Sequence, residues 1–301
     1  MLYSLRDKYN RLRFARACAG IMRTPPVRLD SHSELMLFTQ LQHKDVLLAL
    51  IAFKSFASRV PIGCMRILND GSLTRADFHV LAKHLPTVEF LNISEVRTAA
   101  CPTGGTWERL LWISRLSRDH YVIQLDSDTL TVGELPEVRT CVNERRSFVI
   151  GTWDNQIVES MSSRQATADK YLRSMQSAPH VQLLAEANFD KLTQFATLQY
   201  VRGCSGFTGF ARGSVDTRFI EMISGEMNSA IGEAWNKWGS EQVMSNIVVA
   251  NDAGTTVLPH PKYCDCTKLK AGAAAFVHFI GSCRFAGNAY STMARDVIGG
   301  L

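Results

Sequence analysis

The 301-residue chain has no apolar run long enough to cross a bilayer. Its longest apolar segment, residues 45–56, is short and contains Lys54. The first apolar run lacks the length and cleavage pattern of a secretory leader, so a cytoplasmic location is the expectation. No G-x-x-x-x-G-K-[ST] pattern occurs, which disfavours phosphate-loop chemistry. Gly203-Cys204-Ser205-Gly206 lacks the spacing of a hydrolase serine elbow, and no dinucleotide-binding glycine fingerprint appears. Internal repeats and low-complexity tracts are missing too. The eight cysteines form no regular framework, and in a chain of this size they read as reduced thiols. Cys264 and Cys266, with Cys283 further on, have no second matching pair, which argues against zinc.

What is present is an ordinary globular composition, 46% hydrophobic and 20% charged. That is enough to build a sizeable core and excludes disorder as the main state. The net charge of +5 is too mild to suggest nucleic-acid binding. Part of the excess is local: Arg6, Lys8, Arg11, Arg13, Arg16, Arg23 and Arg28. Residues 1–30 read as a basic helical extension ending at Pro25-Pro26, followed by one domain over 31–301. Such a helix is either a solvated face or a peripheral contact with an anionic membrane surface. An Arg-rich, acid-poor presequence is a third option.

The next stretches alternate. Strands are expected at 34–41, 61–68, 88–93, 121–125 and 148–152. Helices are expected at 45–57, 72–84 and 106–116, with Thr74 or Ser72 capping the second. This order implies an α/β fold with a mainly parallel sheet. Residues 159–198 are polar and helical in propensity, an insertion covering one side. Residues 204–212 read as a glycine-punctuated turn into a strand, 233–251 as a helix, and 276–280 as a last apolar strand carrying His278.

Ligands of parallel sheets sit beyond the carboxyl ends of the strands. The strand YVIQL runs into Asp126-Ser127-Asp128 at such an end. Two carboxylates on one turn repel unless a cation joins them. Hard divalent ions such as Mn2+ or Mg2+ do so and can bridge a nucleoside diphosphate, neutralising a phosphate leaving group. Alone, an Asp-x-Asp tripeptide is weak, because Asp also caps helices and turns.

Further elements follow in order. The segment VIQLDSDTLTVGEL, Arg109-Leu110, Gly203-Cys204-Ser205-Gly206-Phe207, Glu241-Gln242 with Asn246, and His278 with Gly281 and Arg284 resemble the motifs of glycosyltransferase family 8, the glycogenin-like and galactosyltransferase-like enzymes. The likeness spans roughly residues 35 to 284. It implies a GT-A fold, Rossmann-like with a helical insertion, and transfer of a hexose from a UDP-sugar with retention. The acceptor, whether glycan, lipid-linked sugar or protein, is not specified. By the same resemblance Asp126, Asp128 and His278 are metal ligands, and the turn through Ser127 holds the donor with Arg109 and Cys204. Gly281 admits the pyrophosphate and Arg284 neutralises it. Glu241 and Gln242 face the sugar, Gln242 beneath the anomeric carbon. Thr39 and the loop to Asp45 stand where such folds hold the nucleobase and ribose, with Asp70 a second candidate there. Trp107, Trp153, Trp235 and Trp238 are candidate sugar platforms.

The sequence departs from the family pattern in places. Glu241 stands for Asp, Cys204 for Asn, and Arg109 and Arg284 for Lys, and the closing Pro-Trp is absent. Arginine keeps the charge but replaces a point charge by a planar fork. Two other readings stay open: a nucleotidyltransferase of related fold, and a non-catalytic nucleotide-sugar-binding protein. The first needs a glycine-rich basic loop after the first strand, whereas Leu41-Gln42-His43-Lys44-Asp45 has no glycine.

Overall fold

The computed structural model describes residues 2–270 and 272–301, apart from the side chains of residues 2–7 and 282. The side chain of Arg6, one of the basic residues noted above, therefore lies outside the described set.

The elements run α1 (Leu2–Ala17), β1 (Leu35–Leu41), α2 (Val46–Ala57), β2 (Cys64–Asn69), α3 (Arg75–His84), β3 (Glu89–Asn92), α4 (Trp107–Leu116) and β4 (Tyr121–Leu125). They continue with β5 (Thr129–Thr131), α5 (Pro136–Asn143), β6 (Phe148–Ile150), β7 (Glu159–Ser160), α6 (Met161–Ser174), α7 (Val181–Glu186), β8 (Gln199–Tyr200) and β9 (Cys204–Phe210). The chain ends with α8 (Thr217–Ile231), α9 (Ser240–Ala250), β10 (Thr256–Leu258), β11 (Tyr263–Asp265), β12 (Phe276–His278) and α10 (Ala289–Gly299).

Seven strands form the central sheet in the order β10-β6-β9-β4-β1-β2-β3. Strands β1 to β4 run parallel, as the alternating pattern requires, while β9 is antiparallel to both β4 and β6. A second sheet, β11-β12-β5, carries His278 at the end of β12. Side chains alternate across the strands. Leu35, Leu37 and Leu41 enter the core on one face, with α1, α2 and α10, and Met36 and Phe38 enter the core on the other, with α4, α8 and α9. The apolar α2 is buried along most of its length. Its Lys54 ammonium is drawn onto the Thr24 hydroxyl, at 2.8 Å, and the Pro25 carbonyl. Thr74 closes α3 with a full capping box on Asp77.

Several boundaries differ from those read in the sequence. The helix expected over 233–251 is a 3-10 turn at Gly232–Asn236 followed by α9. Gly239 separates them at φ +101°, a left-handed conformation that a helix cannot propagate through. Glu241 thereby falls in the first turn of α9. Strand β6 stops at Ile150 and β12 at His278. The cysteines need a correction, since Cys266 and Cys283 form a disulfide. Their segments follow the paired strands β11 and β12, which brings the two Cα atoms to 6.0 Å. With Cys264 buried and free, no zinc cluster arises from these three. The cysteines thus give no argument for a reducing compartment. No helix among the described residues is long and apolar enough to span a membrane.

The N-terminal helix is packed rather than trailing. Phe14 is 3% exposed and meets the Tyr290 ring at 4.4 Å and the Phe285 ring at 5.5 Å. Arg11 pairs with Asp45 at 2.8 Å, and Arg13 donates to the Gly287 carbonyl and to Asn288 Oδ1. Replacing Phe14 by alanine is expected to cost about 3–5 kcal/mol of unfolding free energy in urea denaturation. A loss below ~0.5 kcal/mol would show the helix to be a solvated appendage instead.

Candidate functional site

Strand β4 ends at Leu125, and the chain turns at once through Asp126 and Asp128. Three backbone bonds hold this turn. The Asp126 N–H donates to the Gly206 carbonyl at 2.8 Å. Thr129 N–H returns to the Asp126 carbonyl at 3.2 Å, and Phe279 N–H reaches the Asp128 carbonyl at 2.8 Å. The turn is thus pinned by β9 on one side and by the segment after β12 on the other.

His278 arrives from β12. Its Nε2 lies 3.1 Å from Asp128 Oδ1 and 3.8 Å from Asp126 Oδ2. The other oxygen of each carboxylate meets a guanidinium: Asp126 Oδ1 pairs with Arg109 at 2.5 Å, and Asp128 Oδ2 with Arg284. Two oxygens and one imidazole nitrogen therefore converge, and the ligand atoms of Asp126, Asp128 and His278 lie within 4.8 Å of one another. A set of two carboxylates and an imidazole fits an ion of the Mn2+ or Mg2+ class, Mn2+ accepting the nitrogen more readily. Burial works against the Asp128 carboxylate, but His278 and Arg284 beside it hold its pKa below the usual carboxylate range. Burial likewise opposes charge on His278, yet Cys204 and Asp128 raise its pKa well above that of a free imidazole.

Close approach explains one glycine. A Cβ on Gly206 would stand 2.1 Å from His278 Cε1, so β9 passes the imidazole edge only without a side chain there.

Next to the carboxylate turn lies a second buried cluster. Arg109, with a 5% exposed side chain, donates to Glu241 at 3.1 Å and to Ser205 Oγ at 3.3 Å. Thr106 Oγ1 donates to Glu241 Oε2 at 2.8 Å. Burial pushes the Glu241 carboxyl upward, and Arg109 opposes it. Burial also disfavours charge on Arg109, but Glu241 and Asp126 together raise its pKa above the ordinary value. The guanidinium stays charged and bridges the two acids.

Both clusters open on one cleft of about 520 Å³, lined among others by Thr106, Arg109, Asp126, Asp128, Cys204, Glu241, Gln242, His278, Gly281 and Arg284. The structure thus brings together most of the residues singled out in the sequence. Ser127 does not line the cleft, because the flanking carboxylates face it and the residue between them does not. Thr39 is placed elsewhere as well. It is fully buried on the β1 face of Leu37 and Leu41, since side chains two apart share a face. Asp45 is taken up by Arg11, and Asp70 closes a turn by accepting from Ser72 N–H and Oγ. Trp107 and Trp235 are core residues, their rings 5.6 Å apart, and Trp153 is exposed away from this cleft. Trp238, 74% exposed, is the tryptophan that borders the cleft, with His180 beside it. Sequence reasoning missed Thr106, His180 and Arg202, and gave Ser205 no role of its own within its motif. Each is an unremarkable loop or strand-end residue in the sequence, and only the fold delivers it.

No protein-family model and no curated protein sequence matches the chain. Solved structures do. The bifunctional glycosyltransferase WbbM superposes with a TM-score of 0.50 and 12% identity over 90% of this chain. The present chain spans about half of it, 53%. An active-site mutant of LgtC gives a TM-score of 0.50 at 11% identity, covering 88% of this chain and 96% of the other. The chain has a GT-A type fold. At this identity the likeness speaks to architecture, so the chemistry has to be argued from the residues themselves.

One consequence concerns Arg109. The substitution Arg109→Met leaves Glu241 buried without a countercharge and should cost about 3–5 kcal/mol in chemical denaturation. The double variant Arg109→Met/Glu241→Leu should recover most of that loss. Equal losses in the single and double variants would mean that packing, not charge pairing, sets the cost.

Proposed function

We propose that this chain is a metal-dependent glycosyltransferase that takes a hexose from a UDP-sugar. One observation carries the reading. Asp126, Asp128 and His278 converge at the carboxyl end of a parallel strand, in a cleft that Glu241 and Gln242 also line. A bound Mn2+ or Mg2+ would supply Lewis-acid neutralisation of the diphosphate leaving group.

The chain's own groups do the rest. Asp126, Asp128 and His278 hold the ion. Arg284, on the Asp128 side, faces the phosphates, and the exposed Gly281 lets them approach the backbone. Arg109 keeps Asp126 and Glu241 fixed in orientation. Glu241 accepts hydrogen bonds from sugar hydroxyls. Gln242, half-buried in the cleft wall, would lie beneath the anomeric carbon and support the positive charge that develops there in a retaining transfer. A second cavity of about 380 Å³ shares Thr152 with the cleft and presents Trp153, His260, Lys268 and Lys270 to an acceptor.

The basic N-terminal helix is proposed to touch an anionic membrane surface. Tyr9 (64% exposed) and Leu12 (50%) lie exposed among Lys8, Arg13 and Arg16, a mixture suited to a headgroup layer.

Mn2+ with a UDP-hexose at about 100 times its Kd should stabilise the protein by about 2.7 kcal/mol, read as a melting shift, and UDP should be released slowly by hydrolysis. Asp128→Ala should abolish both effects. A shift without any UDP release would mark a non-catalytic binding protein. No response across UDP-, GDP-, ADP- and CMP-sugars would end the transferase reading. In co-sedimentation, vesicles containing phosphatidylserine should bind the wild type more than a Lys8→Glu/Arg16→Glu variant, and equal binding would remove the membrane contact.

A further inference from the structure

The imidazole of His278 has two ring nitrogens, and the proposed metal site uses only Nε2. The other, Nδ1, lies 3.1 Å from the sulfur of Cys204, the first residue of β9. A metal-binding histidine needs its lone pair on one nitrogen and its proton on the other. Which nitrogen carries the proton is decided by the partner of the one that does not bind the ion.

We propose that Cys204 is the positioning residue for His278: its sulfur accepts the Nδ1–H and leaves the Nε2 lone pair facing Asp126 and Asp128. This rests on the metal reading of the site. The alternative arrangement, with the thiol donating to Nδ1, puts the ring proton on Nε2. That proton would then point at Asp128 Oδ1, 3.1 Å away, and exclude a cation.

Three features fix Cys204 as the partner of Nδ1. The ring is 5% exposed as a residue, so water does not compete strongly for Nδ1. Gly206, two residues along from Cys204, lies against Cε1, the atom between the two nitrogens. One strand therefore fixes both the edge of the ring and the partner of its outer nitrogen. Finally, Cys204 lies in the cleft wall beside His278, so a change there acts on the imidazole directly. Sulfur is a weak acceptor, but an oriented one in a site where the competing solvent is largely gone.

The test uses the full chain and Mn2+ alone, with the Mn2+ Kd read by electron paramagnetic resonance and the melting temperature of the metal-free protein measured in parallel. Cys204→Ala should weaken Mn2+ binding about 10- to 100-fold, the usual effect of losing an outer partner of a ligand histidine. Cys204→Ser, which restores an acceptor, should fall between the wild type and Cys204→Ala, and the metal-free melting temperatures should agree. Asp128→Ala is the control for the site itself. A Cys204→Ala protein that binds Mn2+ like the wild type overturns the role of the sulfur. So does a loss of affinity that serine fails to relieve, which would reflect packing alone. A wild type no tighter than Asp128→Ala fails the metal reading first, and the inference falls with it.

Discussion

The arrangement of the cleft depends on one buried cation. Arg109 leaves α4 and enters a space where two acids from distant parts of the chain also end, Asp126 after β4 and Glu241 in the first turn of α9. Two carboxylates so close would repel each other, and removing water from the buried Glu241 is costly. The guanidinium removes that conflict and, being planar and forked, sets the angle between its partners. A lysine at this position would supply the charge without fixing the direction. Arg109 and Glu241 therefore read as a matched pair: a broad, forked donor opposite a long carboxylate arm.

Much of the architecture was legible in the sequence because it follows from periodicity. YVIQL is apolar at every position but Gln124 and becomes the central β4, buried on both faces. The α2 segment is apolar nearly all round and is buried accordingly. Capping chemistry at Thr74 and Asp77 marked the start of α3. The misreadings have physical causes. Residues 233–251 have helical composition throughout, but Gly239 adopts a positive φ and splits them. The short β10 and β11, with three residues each, are too brief to show a period. The pairing of Cys266 with Cys283 depends on β11 lying beside β12, and no local pattern announces a strand partner.

The candidate site was legible to a different degree. Asp126, Asp128, His278 and Arg284 could be picked out because carboxylates, imidazole and guanidinium carry their chemistry with them. Thr39 could not be excluded in advance, since its place on the inward face of β1 follows from register rather than residue type. The contact between Cys204 and His278 was equally invisible. In the sequence Cys204 is simply a missing amide, whereas in the fold it stands against the imidazole.

The antiparallel course of β9 and the late arrival of β12 bear on how the site comes into being. His278 meets Asp128 across 150 positions of sequence, and Arg284 across 156. Closing contacts of such separation costs loop entropy, which favours their forming late in folding. The carboxylate turn is complete once β4 and its neighbours pair, but without β12 it lacks both its imidazole and one of its guanidinium partners. A chain halted partway through folding, or through synthesis, would hold two facing acids with Arg109 alone between them and their surroundings. Assembly of the cluster of two carboxylates and one imidazole is thereby tied to completion of the whole fold.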